Sequence, residues 1–287
     1  MNYNALIENR KSVREFRQES VPVEELTALR SYYLKECQKL LPELETELTI
    51  LGKDDQEALE GTAGYQEFLV GAPNYLVLQS KEHPHGVENA GYIMEDLVLK
   101  LTDMGYASCW LSFEDGEQVR QALHLGSPEP VVAMVAFGYG VKTAKKLRLN
   151  IKSMSNVDVA AQRQYYNHKK DVSELAFVEE LGRMEGLEEL MGFYDDMLWQ
   201  SFHAVSQAPS YLNRQPYAFV LRGRDLILVR MADTYTDPLS AKLDLGIAML
   251  HFGVVAAQWV GRVQWDLDVA SDLPLPEGCS VAAVYRM

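Results

Sequence analysis

Apolar and polar positions along the first half of the chain predict helices and strands in turn. Apolar residues recur at helical spacing from Val21 to Leu41 and again from Asn89 to Met104, where Gly105 is expected to end the helix. Continuous runs of β-forming residues at Asn74–Ser80 and Val131–Phe137 are typical of buried strands. These elements predict a mixed helix-and-strand unit with a substantial core.

The second half repeats part of this plan. A strand is expected at Tyr217–Leu221, followed by a long helix from about Asp244. The repeated residues are Gly91, Met94, Gly105 and Trp110 in the first half, and Gly246, Met249, Gly261 and Trp265 in the second. This repetition predicts two related units joined in one polypeptide. The polar stretch from Leu149 to Ser173 is the candidate linker between them.

Composition and charge exclude several classes of protein. The 287 residues suffice for about two units of 150 residues or one large α/β domain. The net charge of −14 disfavours nucleic acid and anionic membrane as partners. The three cysteines contain no C-x-x-C pair, and the N-terminus lacks the pattern of a signal peptide. We expect a cytoplasmic protein without a membrane span.

Two local basic clusters stand out in this acidic chain. Residues Arg10–Phe16 read R-K-S-V-R-E-F, and an extended backbone would place Arg10, Ser12 and Arg14 on one face, suited to a phosphate monoester. The alternative is a solvated basic N-terminus. The second cluster contains Lys146 and Arg148, which an extended backbone would aim at one point; its alternative is a solubilising turn.

A third candidate is the loop Ala208–Pro216, which precedes the strand at Tyr217. Its Ser210, Asn213 and Gln215 carry hydroxyl and amide groups that suit a ring edge with alternating donors and acceptors. The alternative is a turn whose side chains bond their own backbone. The sequence also contains His83-Pro-His85, but without a third ligand at suitable spacing we expect a turn there and no metal site.

These stretches resemble the flavin-dependent nitroreductase family. R-K-S-V-R-E-F at Arg10–Phe16 resembles the opening motif R-R-S-x-R-x-F, and A-P-S-Y-L-N-R-Q-P-Y at Ala208–Tyr217 resembles the loop A-P-S-x-x-N-x-Q-P-W. The stretch from Asn89 to Trp110 is similar to the central helix of the family and the G-L-G-x-C-W segment after it. Together the motifs cover most of the chain, and the second loop is the most specific.

The resemblance implies an α+β nitroreductase-like fold of two fused repeats, with mixed, mainly antiparallel sheets and central helices packed together. Ordinary members are homodimers that carry both motifs in each subunit, whereas here each motif occurs once, in opposite halves. The chain is therefore similar to members in which two half-domains form an internal pseudodimer, which implies one complete FMN site and a monomer. The implied divisions are 1–150 for the phosphate-binding half, 151–175 for the linker and 176–287 for the half with the ring loop.

The same resemblance implies the site residues. The FMN phosphate would be held by Arg10, Lys11 and Ser12, with Lys146 and Arg148 closing around it. The isoalloxazine ring would meet Pro209, Ser210, Asn213 and Gln215, and backbone groups of Trp110, Leu111 and Ser112 would approach flavin N5.

The chemistry implied by the resemblance is borne by the flavin. Hydride from NADH or NADPH would arrive at N5 and pass in ping-pong order to a nitroaromatic, a quinone or a similar small acceptor, with no catalytic side chain required. Positive charge near N1 and O2 would stabilise the reduced flavin. Two alternatives remain: a non-catalytic flavin-binding protein for storage or sensing, with which Tyr217 in place of the motif's Trp is compatible, and a fold without flavin.

Overall fold

A computed structural model describes residues 1–64, 69–141, 147–153, 156–161, 169–187 and 195–287, with the backbone alone in 147–153 and 156–161. The helices are α1 (Tyr3–Asn9), α2 (Val23–Lys35), α3 (Gln56–Leu59), α4 (Gly86–Asp103), α5 (Gly116–Ala122), α6 (Val172–Leu175), α7 (Asp195–Ser206) and α8 (Pro238–Val260). The strands are β1 (Thr46–Leu51), β2 (Asn74–Ser80), β3 (Ala107–Leu111), β4 (Val131–Gly138), β5 (Leu147–Ser153), β6 (Asn156–Ala161), β7 (Ala176–Val178), β8 (Tyr217–Arg222), β9 (Asp225–Arg230) and β10 (Ser280–Arg286).

The first sheet is antiparallel and has the strand order β1-β2-β4-β3. Strand β2 is buried along its whole length, because Leu76 and Leu78 pack against α4 while Tyr75 and Val77 pack on the other face. Burial of both faces explains the continuous apolar runs of β2 and β4, since neither face of these strands needs polar residues. The strands predicted at Asn74–Ser80 and 131–137 are thereby confirmed.

The second sheet has the order β10-β9-β8-β7, in which β7 pairs parallel to β8 and the other pairs are antiparallel. Helices α7 and α8 cover it through Phe202, Phe219 and Phe252, whose ring centroids lie 5.6 to 5.9 Å apart. Neighbouring strands β8, β9 and β10 of this sheet correspond in order to β1, β2 and β4 of the first sheet. Asp266 forms an isolated antiparallel bridge with Val284 of β10, where the first sheet has β3 paired with β4.

The two halves meet where α4 crosses α8, at two glycines of the repeated pattern. A Cβ on Gly91 would overlap the carbonyl oxygen of Leu243, and a Cβ on Gly246 would overlap the carbonyl oxygen of Glu88. Each glycine therefore lets the backbone of the other helix approach, and the two contacts are reciprocal. By length and composition alone, helix α8 could cross a membrane. In this structure, however, 78% of its most apolar 18-residue stretch is buried inside the protein.

A second reciprocal pair holds the loops that precede β1 and β8. Asn89, two residues before Gly91, accepts a hydrogen bond from Leu41 N (2.9 Å), and Asp244, two residues before Gly246, accepts one from Tyr211 N (3.1 Å). The two central helices thus each hold one loop by a side chain at a matching position.

Asp96 of α4 anchors the N-terminal helices to the core. Its carboxylate accepts hydrogen bonds from the hydroxyls of Tyr3 (2.9 Å) and Tyr32 (2.8 Å) and from the backbone N–H of Gln38 (2.8 Å). Burial raises the pKa of Asp96 because it disfavours the charged form. The helix expected at Val21–Leu41 is shorter in the structure and ends at Lys35. Beyond it, the N–H groups of Gln38 and Leu41 bond to the side chains of Asp96 and Asn89 on α4 instead of continuing the helix.

Two further expectations change in the structure. The helix expected from about Asp244 begins at Pro238, where Asp237 caps it by accepting from Ser240 N (2.9 Å). The candidate linker, Leu149–Ser173, contains most of β5, the whole of β6 and the start of α6, and β6 pairs antiparallel with β5.

Candidate functional site

The N-terminal segment runs beside β3. Arg10 ends α1, Ser12 forms a parallel bridge with Ser108, and Val13 N donates to Ser108 O (2.9 Å). This pairing brings the predicted phosphate-binding segment beside the strand that ends with Trp110 and Leu111.

Arg10 turns inward, away from its neighbours in sequence. Its side chain is only 7% exposed, and its Nε lies 3.6 Å from Glu95 Oε1, whereas Lys11, Ser12 and Arg14 are exposed. The single face predicted for Arg10, Ser12 and Arg14 is therefore divided between the interior and the surface. Among the described residues, the buried Nε of Arg10 has no hydrogen-bond acceptor.

Glu95 joins groups from both halves. This buried carboxylate on α4 accepts from Trp110 Nε1 (2.9 Å) and lies 3.0 Å from Nε2 of His251 on α8. The other ring nitrogen of His251 lies 2.8 Å from Ala204 O. A buried carboxylate needs such partners, and here they connect β3, α4, α7, α8 and the Arg10 segment.

The loop 208–216 has an unusual backbone. Leu212, Asn213 and Gln215 have positive φ angles of 48°, 56° and 47°. Such conformations cost free energy in residues other than glycine, and they cluster at functional sites. The loop is held by Gln215 N, which donates to Ser210 Oγ (2.9 Å), and by Tyr211 N, which donates to Asp244.

Gln215 supports this loop from within. The residue is fully buried, its Oε1 accepts from Lys170 N (2.9 Å), and its Nε2 donates to Ser206 O (2.9 Å). The bond between Gln215 N and Ser210 Oγ is thus of the kind expected for a turn whose side chains bond to its own backbone. Ser210 and Asn213 are partly exposed and Pro209 is buried, so the accessible polar side chains of the predicted ring set are Ser210 and Asn213.

Lys169 links the loop to Arg10. Its Nζ donates to Ala208 O (2.6 Å), and it interacts electrostatically with Arg10, Glu95 and Asp244. Burial and the charge of Arg10 lower the pKa of Lys169 to about 8. Burial raises the pKa of Asp244 well above its usual range, which the N–H of Tyr211 partly opposes.

A cavity of about 570 Å³ adjoins this group between α7 and the segment 169–187. Lys169 and Lys170 line it together with Trp199 and His203 of α7. Trp199 is 50% exposed, so the cavity offers an aromatic surface to a ligand.

The other predicted site residues are distributed as follows. Leu111 is buried, and Ser112 exchanges hydrogen bonds with Gly64 through Ser112 Oγ to Gly64 O (3.2 Å) and Gly64 N to Ser112 O (2.7 Å). Lys146 lies outside the described residues, and Arg148 lies in β5, where the backbone alone is described. Within the described parts of the chain, no group of three His, Cys, Asp or Glu residues could hold a metal ion.

Sequence reasoning missed Lys169, Glu95 and the part that Asp244 has in holding the loop. The available signals were a dibasic pair, Lys169-Lys170, in a strongly acidic chain, and acidic residues on otherwise apolar helices. Neither signal points to a partner, because the groups that face these side chains lie far away in sequence.

Comparisons with known proteins agree with this architecture. The family described as "Putative TM nitroreductase" matches residues 2–256. The chain is similar to the structure of a putative nitroreductase from Thermotoga maritima MSB8, with 19% identity and a TM-score of 0.61 over 100% of this chain and 94% of that one. No protein with a curated description matches the sequence.

Other similar structures align with about half of the chain. A nitroreductase family protein from Clostridium novyi NT has 19% identity and a TM-score of 0.43, over 50% of this chain and 87% of that one. A nitroreductase with bound FMN from Bacteroides fragilis NCTC 9343 has 20% identity and a TM-score of 0.42, over 56% of this chain and 100% of that one. Because the family match extends over most of the sequence, the chain belongs to this nitroreductase family.

Proposed function

We propose that the protein is an FMN-dependent NAD(P)H oxidoreductase of the nitroreductase type, with one composite site per chain. The observation that carries the proposal is the link between the halves: Lys169 bonds to Ala208 O of the second-half loop and interacts electrostatically with Arg10 of the first half. This link supports a site to which both motifs, each present once in the sequence, contribute.

The residues present fit such a cofactor. In the part of the chain that the structure describes, Arg10 Nε is a buried donor without a hydrogen bond, which an anionic or carbonyl group of a ligand can satisfy. The loop 208–216 presents Ser210 and Asn213, whose hydroxyl and amide suit the edge of the flavin ring.

The roles of the residues follow from these positions. Lys11 and Ser12 are exposed beside β3, where they would hold the phosphate together with Lys146 and Arg148. Arg10 would reach the ligand from the interior, oriented by Glu95. When bound, FMN supplies two-electron transfer between a nicotinamide and a second substrate.

The remaining parts of the proposal concern substrates and assembly. Donor and acceptor use the same site in turn, which is a ping-pong order, and the acceptor is a nitroaromatic, a quinone or a similar small molecule. The divisions at 1–150, 151–175 and 176–287 make the chain an internal pseudodimer, which functions as a monomer in the cytoplasm. The reciprocal contacts of Gly91 and Gly246 support this arrangement, since a two-fold interface repeats each contact.

The test is an absorbance spectrum of the purified full chain after addition of FMN and desalting, followed by anaerobic addition of NADH or NADPH. Retained flavin that bleaches with either nucleotide supports the proposal. Arg10→Ala and Asn213→Ala each weaken FMN binding, since they remove groups from opposite halves of one site.

Arg17→Ala is the matched control for Arg10→Ala, because Arg17 is an exposed arginine near the same segment. It should leave FMN affinity unchanged. Retained flavin that stays yellow with both nucleotides would indicate a storage or sensor protein. A chain that retains no flavin contradicts the FMN assignment, and binding that depends on Arg10 but is indifferent to Asn213 contradicts the composite site.

A further inference from the structure

The cavity of about 570 Å³ between α7 and the segment 169–187 has no role in the proposed flavin chemistry. Its volume is within the range of about 300–1,000 Å³ that is typical of small-molecule sites. Among the residues assigned to the flavin whose side chains the structure describes, none lines this cavity. A ligand bound here would therefore occupy a different place from the flavin.

Part of the cavity lining is aromatic and apolar. Trp199 on α7 lines the cavity and is 50% exposed, and Met184 lines it and is 49% exposed. The buried Val172 and Leu187 contribute further apolar lining. An exposed indole ring beside a cavity gives a flat aromatic group a surface on which to stack, and a methionine sulfur makes favourable contacts with such a ring. This part of the lining favours a planar aromatic ligand.

Three basic residues line the same cavity, namely Lys169, Lys170 and His203. The two lysines are half-buried, and burial lowers the pKa of both because it shields their ammonium groups from water. A shielded ammonium group attracts an anion more strongly than one on an open surface. His203 lies one helical turn after Trp199, so the basic and the aromatic side chains share one face of α7.

The acidic residues among the described lining are Asp171 and Glu185, and both are exposed. Water screens an exposed carboxylate, so positive charge prevails in the shielded part of the cavity. Lys170 Nζ donates to Gln215 O (2.7 Å), and an ammonium group has three N–H donors. Lys170 can therefore donate to an anion in the cavity and keep its bond to the loop 208–216.

We propose that this cavity is a second ligand site, which binds a planar aromatic carboxylate by stacking its ring on Trp199 and pairing its carboxylate with Lys170. The carboxylate supplies the anion that the half-buried ammonium group attracts, and the ring covers the exposed indole. A neutral aromatic molecule of the same shape keeps the stacking and loses the charge pairing. The inference does not depend on the proposed function.

The experiment is isothermal titration calorimetry of the full-length chain with cinnamate and with its neutral analogue cinnamamide. We expect cinnamate to bind and cinnamamide to bind about tenfold more weakly, because the hydrogen bond between charged groups is lost. Equal affinities of the two compounds would contradict the pairing with Lys170. Absence of cinnamate binding at about 1 mM would overturn the site itself.

Variants then locate the bound cinnamate. Trp199→Ala should weaken its binding by about tenfold, and Lys170→Met by a similar factor. Trp259→Ala is the control for the first variant, because Trp259 is an exposed tryptophan on α8 outside the described lining of the cavity. Lys242→Met is the control for the second, because Lys242 Nζ also donates to a backbone carbonyl, Pro84 O (2.9 Å).

Both controls should retain the wild-type affinity for cinnamate. Wild-type affinity in Trp199→Ala, or equal losses in a variant and its control, would overturn the inference. If Lys170→Met fails to fold, the comparison of cinnamate with cinnamamide on the wild-type chain decides the role of the charge.

A repeat of the cinnamate titration with excess FMN present separates the two sites. We expect cinnamate binding to persist. An apparent affinity that falls in proportion to the FMN concentration would place cinnamate in the flavin site and contradict a second site. A wild-type chain that binds cinnamate but no FMN would support the second site and contradict the proposed function instead, so the two failures are distinguishable.

Discussion

Replacing Gly246 with alanine tests how closely the two halves of the chain meet. The added Cβ would overlap the carbonyl oxygen of Glu88 and lie 2.9 Å from both the Glu88 carbonyl carbon and the Tyr92 amide nitrogen. All three atoms belong to the backbone of α4, so no side-chain rotation relieves the overlap. The helices α4 and α8 must move apart, which opens contacts in the core on both sides of the crossing.

Gly253 provides a matched control on the same helix. A Cβ at that position would come no closer than 3.3 Å to any neighbouring atom, the nearest being the hydroxyl oxygen of Tyr92, which belongs to a side chain. Both substitutions gain about 1 kcal/mol from the higher helix propensity of alanine, so this contribution cancels in the comparison. Overpacking of a dense core costs about 1–3 kcal/mol, and we expect Gly246→Ala to be less stable than Gly253→Ala by about 2 kcal/mol or more.

The assay is urea unfolding of the ligand-free proteins followed by far-UV circular dichroism. A lower midpoint for Gly246→Ala at an unchanged slope indicates a change in stability alone. Gly91→Ala should behave similarly, because its Cβ would overlap the carbonyl oxygen of Leu243. Equal free energies of unfolding for Gly246→Ala and Gly253→Ala would refute the close crossing.

Three further predictions concern buried or paired charges and use the same unfolding assay. Asp96→Ala should lower the free energy of unfolding by about 2–4 kcal/mol, because it leaves three donors without their acceptor; a change below 1 kcal/mol would argue against this anchor. The pKa of Lys169 is lowered to about 8 in the folded protein, so between pH 8 and about 10.4 the unfolded chain binds more protons than the folded one. The free energy of unfolding of the wild type should therefore rise over this range, relative to Lys169→Met, by up to about 3 kcal/mol. Parallel pH curves for the two proteins would contradict this prediction. The hydrogen bond from Arg214 lowers the pKa of Asp233 to about 2. The wild type should therefore be more stable than Asp233→Asn, with the full difference in free energy of unfolding above about pH 4 and none once the pH has fallen through 2. A difference that persists at lower pH would show that the charge of Asp233 is not its source.

Local sequence pattern was sufficient for the elements that are buried on two sides or have clear ends. The continuous apolar run of β2 and the helical spacing of α4 need no knowledge of their neighbours, because burial of a whole strand or of one helical face is visible in the spacing itself. Strands β1 and β10 were not predicted, since they pair with strands far away in sequence, β2 and β9. Strand β9 was also missed, although it follows β8 directly in a hairpin.

The candidate site shows the same division. Its two motifs could be located from residue types alone, and their occurrence in opposite halves indicated a composite site. The motifs could not reveal that Arg10 turns inward to Glu95 while Ser12 stays exposed, or that Gln215 is buried under the loop. These orientations depend on which groups the fold places opposite each side chain.

The sequence by itself was sufficient to predict two related units, the buried strands and the central helices, and it contains the motifs that resemble those of the family. Only the tertiary structure decided that Gly91 and Gly246 form one crossing, and that Lys169 bonds to the loop 208–216 and interacts electrostatically with Arg10. The physical reason is the range of the interactions: periodicity and capping act within a few residues, whereas a helix crossing or a charge cluster joins residues that meet only when the whole chain has folded.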